Sequence, residues 1–233
     1  MKFFYADALD LVDPHFDFLE AKSRKVDRVP QRDDVYAHEI MDPRPYDGLL
    51  VSKSLFRVAG GSVAGGKYSF AQRHRFLREG AQRFLRFPID GDYDPENYPV
   101  MGDCGAFAYR DEEEPPYTIE ELVEFYDFGG FTHGIALDHL ILQYNLDLDE
   151  TSASQSVLPG THNAMQDMHD EVRRRKELTL DNARSYLALC RSEKVRFEPV
   201  GSAQGWSPTS YRDSVRALIA MGYDYIAIGG LVT

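Results

Sequence analysis

Six short runs of β-branched, aromatic and other apolar residues recur along the chain, separated by helical patterns or long polar segments. This alternation constrains the fold more than any other feature. The runs are KFFYAD near the start, DGLLVSK around 48–53, YPVMGD around 98–102, HGIALD around 133–138, VRFEPVG around 195–201 and YDYIAIG around 223–229. Helical patterns fall at 68–86, 118–127 and 208–221, and a polar stretch from about 163 to 193 reads as two helices. Strands joined by helices and long loops run parallel, because a crossover of that length returns the chain to the same end of the sheet. Two architectures satisfy the pattern: an open doubly wound sheet, and a (β/α)8 barrel lacking its last units. A closed barrel takes about 250 residues, and this chain of 233 spends nearly fifty before its second strand. The count predicts an α/β fold of (β/α)8 TIM-barrel type, incomplete, with about the first five or six strand units. Residues 1–233 read as one portion of such a barrel, with 1–47 an extended N-terminal segment leading into it.

The last helix is the best defined. Ser207 suits an N-cap and Pro208 the first helical position, while Tyr211, Val215, Leu218 and Ile219 share a face and Gly222 sits where a C′ glycine belongs. The helix therefore feeds a parallel strand at YDYIAIG. Two cysteines, Cys104 and Cys190, stand far apart without C-x-x-C spacing, so neither a disulfide framework nor a cysteine zinc site is expected, and a reducing, cytoplasmic setting follows. No run approaches the roughly 18 apolar residues of a membrane helix.

Three strands end in polar or glycine-rich tips: Asp103 in VMGDCGAF, Asp138 in GIALDHL, and Gln204-Gly205 in VGSAQGW. Gly229-Gly230 makes a fourth. Each tip alone reads as a loop cap. Together, two carboxylates, an amide and open backbone N–H groups match the edges of a guanine-like base, with the carboxylates accepting from ring N–H and amino groups.

Those tips carry a resemblance. Asp103-Cys104-Gly105-Ala106-Phe107 resembles the D-S-G-G-[FY] motif of the tRNA-guanine transglycosylase superfamily, Gln204-Gly205 its Q-G-G, and AIGGL at 227–231 its A-[IV]-G-G-L. Order and spacing agree over roughly the last 135 residues. The opening, with FYADALDLVDPHFDF, QRDDVYAHEI and PYDGLLVS, is closer to the DNA-directed branch, which inserts preQ0 into DNA, than to the enzymes of tRNA. The resemblance implies a barrel that exchanges guanine for a 7-deazaguanine. Asp103 would be the acid/base carboxylate, and Asp138 would read the base's ring N–H and amino group. Gln204, Gly205, Gly229 and the Gly230 N–H would line the base, with Phe107 supplying a stacking face. The family's nucleophilic Asp and its structural zinc cluster lie beyond the G-G-L strand, so the sequence reads as truncated before both, with no cofactor of its own. DNA and a preQ0 or guanine-like base are the implied partners, and a second chain completing the barrel is another. The alternatives are a tRNA substrate and a non-catalytic base-binding subunit. Cys104 in place of Ser, Ala106 in place of Gly, and Ala108 in place of Gln depart from the family pattern.

Other patterns weigh less. The net charge of −12 disfavours a polyanionic partner, yet Arg73 and Arg75, with Arg173 and Arg174, lie in two local arginine clusters that are candidates for phosphate contact, solvated helix faces being the alternative. GSVAGGK, 61–67, fits the phosphate-loop spacing but continues with Tyr68 where Ser or Thr would hold magnesium. His162 and His169 share a spacing of seven without any known ligand pattern. His139 either orients a phosphate or faces a helix. Trp206 either covers the pocket mouth or packs in the core.

Overall fold

A computed structural model describes residues 2–7, 11–56, 66–89, 97–149 and 164–231. Its centre is a curled, all-parallel sheet of six strands flanked by helices, a half-barrel. In chain order the strands are β1 (Phe4–Asp7), a small antiparallel pair β2 (Phe16–Asp17) and β3 (Lys22–Ser23), β4 (Gly48–Ser52), β5 (Val100–Asp103), β6 (His133–Ile135), β7 (Glu198–Ala203) and β8 (Tyr225–Ile228). The large sheet runs β1-β4-β5-β6-β7-β8, so each strand pairs with its successor in the sheet and none is skipped. That is barrel order. A doubly wound sheet reverses direction at a switch point, and this one does not.

The helices are α1 (Ala37–Ile40), α2 (Phe70–Glu79), α3 (Ala81–Phe84), α4 (Ile119–Gly129), α5 (Ala164–Glu193) and α6 (Pro208–Met221). Two differ from the sequence expectation. The segment 68–86 is broken at Gly80, whose φ of +77° ends α2 and starts α3. The stretch 164–193 is one helix of 30 residues, with neither Gly nor Pro to interrupt it. The caps follow local chemistry: Thr118 opens α4 and Ser207 opens α6 with capping boxes, and Gly130 and Gly222 close them in the left-handed region.

Strand alternation sorts the sheet into two faces. On the outer face, a methyl on Gly102 or Gly134 would collide with Tyr126 of α4, and one on Gly201 would crowd Leu218 of α6 and Tyr223. These glycines let the helices approach closely, and Tyr126 and Tyr186 hydroxyls then donate to the Ile135 and Gly134 carbonyls. A Phe-rich cluster of Phe56, Phe76, Phe84, Phe125 and Phe131 fills the space between α2, α3 and α4. On the inner face, Phe4, His133 and Tyr225 meet edge to face near the strands' N-terminal ends. Residues 11–47 cross from β1 to β4, held by a Val12–Val35 bridge and by Arg28 gripping Asp34. None of the helices among the described residues is long and apolar enough to cross a membrane.

Candidate active site

Consecutive strands of a parallel sheet deliver their C-terminal ends to one rim, and the polar tips gather there. Asp103 is the last residue of β5, beside Ser52, which ends β4 in register with it. Its Oδ2 accepts the Gly105 N–H at 3.0 Å. Gly105 turns back in the left-handed region (φ +84°), and a side chain there would strike the Ser52 and Ser54 hydroxyls. Asp103 is only partly exposed. Enclosure among protein atoms, then the nearby Asp138 carboxylate, lift its pKa from the ordinary 3.8 to about 6, against the opposing hydrogen bond from Ser52. A carboxyl poised there exchanges protons near neutral pH.

Asp138 lies three residues past β6 and is buried. Its Oδ1 accepts the Cys104 thiol at 2.9 Å, and its Oδ2 accepts Ser202 at 2.7 Å and the Gln204 amide at 2.6 Å. The Gln204 Oε1 in turn accepts the Ile141 N–H at 3.3 Å. Ser202 lies on β7, and Gln204 and Cys104 each directly follow a strand, β7 and β5, so three adjacent strands contribute to one carboxylate.

Gly229 and Gly230 close the rim from β8. A methyl on Gly229 would overlap the Gln204 amide, and one on Gly230 (φ +70°) would meet the Ile141 carbonyl and Gln204. Tyr211 of α6 donates to the Gly229 carbonyl at 2.7 Å. Gly205 is equally confined, against Ser210 and Tyr211. The structure therefore brings Asp103, Asp138, Gln204, Gly205, Gly229 and Gly230 to one edge. Phe107 follows on the 3-10 turn Ala106–Tyr109, 57% exposed, with the Arg110 guanidinium 4.5 Å from its ring centroid.

The arginine clusters sit outside this set. Arg75 pairs with Glu79, Arg173 with Glu177 and Arg174 with Glu171, while Arg73 donates to the Tyr68 carbonyl. Arg174 and Arg175 also hold the loops after β5 and β6. Arg174 donates to the Glu113 carbonyl, and Arg175 to the carbonyls of Arg110 and Leu140. Sequence reading missed this clamp, for which the only signal was an acidic loop and a basic helix far apart. His139 faces α5: its backbone N–H donates to Thr179, and its Nε2 donates to the Glu112 carbonyl at 2.7 Å. Trp206 is buried with Ile141, Leu148 and Val172, and its indole N–H donates to Asp149. It packs rather than covering a mouth. His162 and residues 61–65 of GSVAGGK lie outside the described residues. Among the described residues, no group of three or more His, Cys, Asp or Glu side chains is placed to hold a metal ion.

No protein-family model matches the chain. Over 232 residues it is 43% identical to a DNA-guanine transglycosylase of Salmonella montevideo. That similarity covers all of this chain and 50% of the relative, so the chain spans about half the length of the curated relative it matches.

Proposed function

We propose that this chain is the base-recognising part of a guanine transglycosylase that replaces guanine in DNA with a 7-deazaguanine such as preQ0. The observation that carries the reading is the convergence of Asp103, Asp138, Gln204 and the Gly229-Gly230 backbone on one rim of a half-barrel. The relative's name supports guanine as the base and DNA as the polymer.

In this reading a flipped guanine enters the rim, because a base held in the stack cannot be reached. Asp138 accepts from the ring N–H and 2-amino group, while Gln204 and the Gly230 N–H serve the exocyclic oxygen. Phe107 stacks on the base, a contact worth on the order of 1 to 3 kcal/mol. In the complete enzyme an Asp nucleophile takes C1′ as guanine leaves, giving a covalent sugar intermediate. Asp103, with its pKa near 6, gives its proton to the departing guanine and takes one back from the ring N–H of the incoming base. Arg73, Arg75, Arg173 and Arg174 are the proposed phosphate contacts, Arg75 and Arg173 lying on exposed helix faces beside Glu79 and Glu177.

The test is incorporation of labelled preQ0 or guanine into duplex DNA, with tRNA in parallel, by purified protein containing these residues. Incorporation into DNA that Asp103→Asn abolishes is the expected result. Full activity in that variant would remove Asp103 from the chemistry, and incorporation into tRNA alone would overturn the DNA assignment.

A further inference from the structure

We infer that Cys104 and Tyr109 form a positioning pair that fixes the Asp138 carboxylate, so that Cys104, without touching a base, sets the pocket's preference for a purine bearing a 2-amino group. This rests on the base-pocket reading above.

An ionised carboxylate offers about four acceptor sites, and three are already taken by Cys104, Ser202 and Gln204. Guanine presents two donors side by side, so one internal donor must let go. Gln204 is that donor, because its amide is the one suited to the base's carbonyl oxygen. Cys104 then remains as the donor on Oδ1 and Ser202 on Oδ2, and between them they set the rotation of the carboxylate about its Cβ–Cγ bond. Two parallel hydrogen bonds to a planar base need both oxygens near the base plane.

Cys104 is itself held on two sides. The Tyr109 hydroxyl lies 3.1 Å from its sulfur and 2.9 Å from the Asp138 carbonyl oxygen, and the Tyr117 hydroxyl donates to the Cys104 carbonyl at 3.0 Å. Cys104 is fully buried, and Tyr109 almost so. Burial and the two neighbouring carboxylates push the thiol's pKa well up, so sulfur keeps its proton and acts as a donor. Of the three side chains that donate to this carboxylate, Cys104 is the one on Oδ1.

The experiment titrates the 233-residue chain with guanine and with hypoxanthine, which lacks the 2-amino group, by calorimetry. Cys104→Ala should weaken guanine by about tenfold, the scale of one hydrogen bond to a charged group, while hypoxanthine changes far less. Cys104→Ser should restore the preference, and Tyr109→Phe should lower it partway. Thermal melting of each variant reports on folding. An unchanged guanine-to-hypoxanthine ratio in Cys104→Ala overturns the inference, as does an equal loss for both purines with a lowered melting temperature. If the unmodified chain binds neither purine, the base-pocket reading itself falls and this inference falls with it.

Discussion

Asp103→Asn should make the chain more stable at neutral pH while removing its proposed chemistry. Its carboxyl has a folded-state pKa raised from 3.8 to about 6, by enclosure first and by Asp138 second. The sign follows from proton linkage. Between those two pH values the folded chain keeps a proton that the unfolded chain has released, so stability falls as pH rises through the window and levels off above about 6. A displacement of roughly two pH units, at about 1.4 kcal/mol each, sets a ceiling near 3 kcal/mol. Water still reaches part of the side chain, so about half of that is expected. Asparagine keeps an oxygen for the Gly105 N–H but carries no charge to enclose. Urea unfolding of both proteins at about pH 4 and about pH 8 checks this, since other groups titrate alike in the two and cancel. The variant should gain roughly 1 to 2 kcal/mol relative to the parent on going from the lower pH to the higher. The same stability difference at both pH values, or a variant less stable at pH 8, would refute the reasoning.

Gly102→Ala drives a methyl into the Tyr126 ring and should cost about 1 to 3 kcal/mol of stability, read by urea unfolding, with guanine affinity of the folded fraction unchanged. Gly229→Ala should do the reverse: its methyl meets the Gln204 amide at the sheet's last strand, so calorimetry should show guanine binding lost with a smaller drop in melting temperature. Arg175→Ala removes the donor to the Arg110 and Leu140 carbonyls and should speed amide exchange across residues 110–113 while α4 stays protected. Glu171, held down to about 2 by Arg174 first and also by Arg175, contributes stability that is complete above its ordinary 4.5 and lost as pH falls toward 2. Glu171→Gln should therefore flatten that part of the acid-unfolding curve.

The six strands were legible because each buried run is short, β-rich and followed by a helical pattern, and parallel pairing leaves few other orders. The rim residues were legible for a related reason: Asp103 and Gln204 stand where an apolar run stops, and a polar residue at that point has no core to enter. What stayed hidden depends on contacts between distant segments. Nothing in HGIALDHL shows that Asp138 accepts from Cys104, 34 residues away, and from Ser202, 64 residues away. VRRRKE reads as a basic surface, and only the fold reveals that Arg174 and Arg175 turn back onto the loop after β5. The break at Gly80 was readable in principle, since a glycine between Glu79 and Ala81 is the natural stop for α2, but the apolar period runs through it.

The two faces of one strand explain why the site can be polar without unravelling the sheet. In β5, Gly102 points toward α4 and supplies no side chain, which lets Tyr126 pack close enough to donate to the Ile135 carbonyl of the neighbouring β6. Asp103, one residue on, points the other way and takes its hydrogen bonds from Gly105 and Ser52 at the rim. The same division recurs in β7, where Gly201 faces Leu218 and Tyr223 while Ser202 faces Asp138. In β5 and β7, therefore, helix packing anchors the strand from the outer side next to the polar residue, and the inner side of that residue is left to the site. A carboxylate with a raised pKa is tolerated there because the strand beneath it is already fixed. If that reasoning holds, loosening the outer face at Gly102 and altering the charge at Asp103 act on separate terms, and the stability changes of Gly102→Ala and Asp103→Asn should add in the double variant to within about 0.5 kcal/mol. A larger departure would mean that the packing of Tyr126 reaches through the strand to the carboxylate.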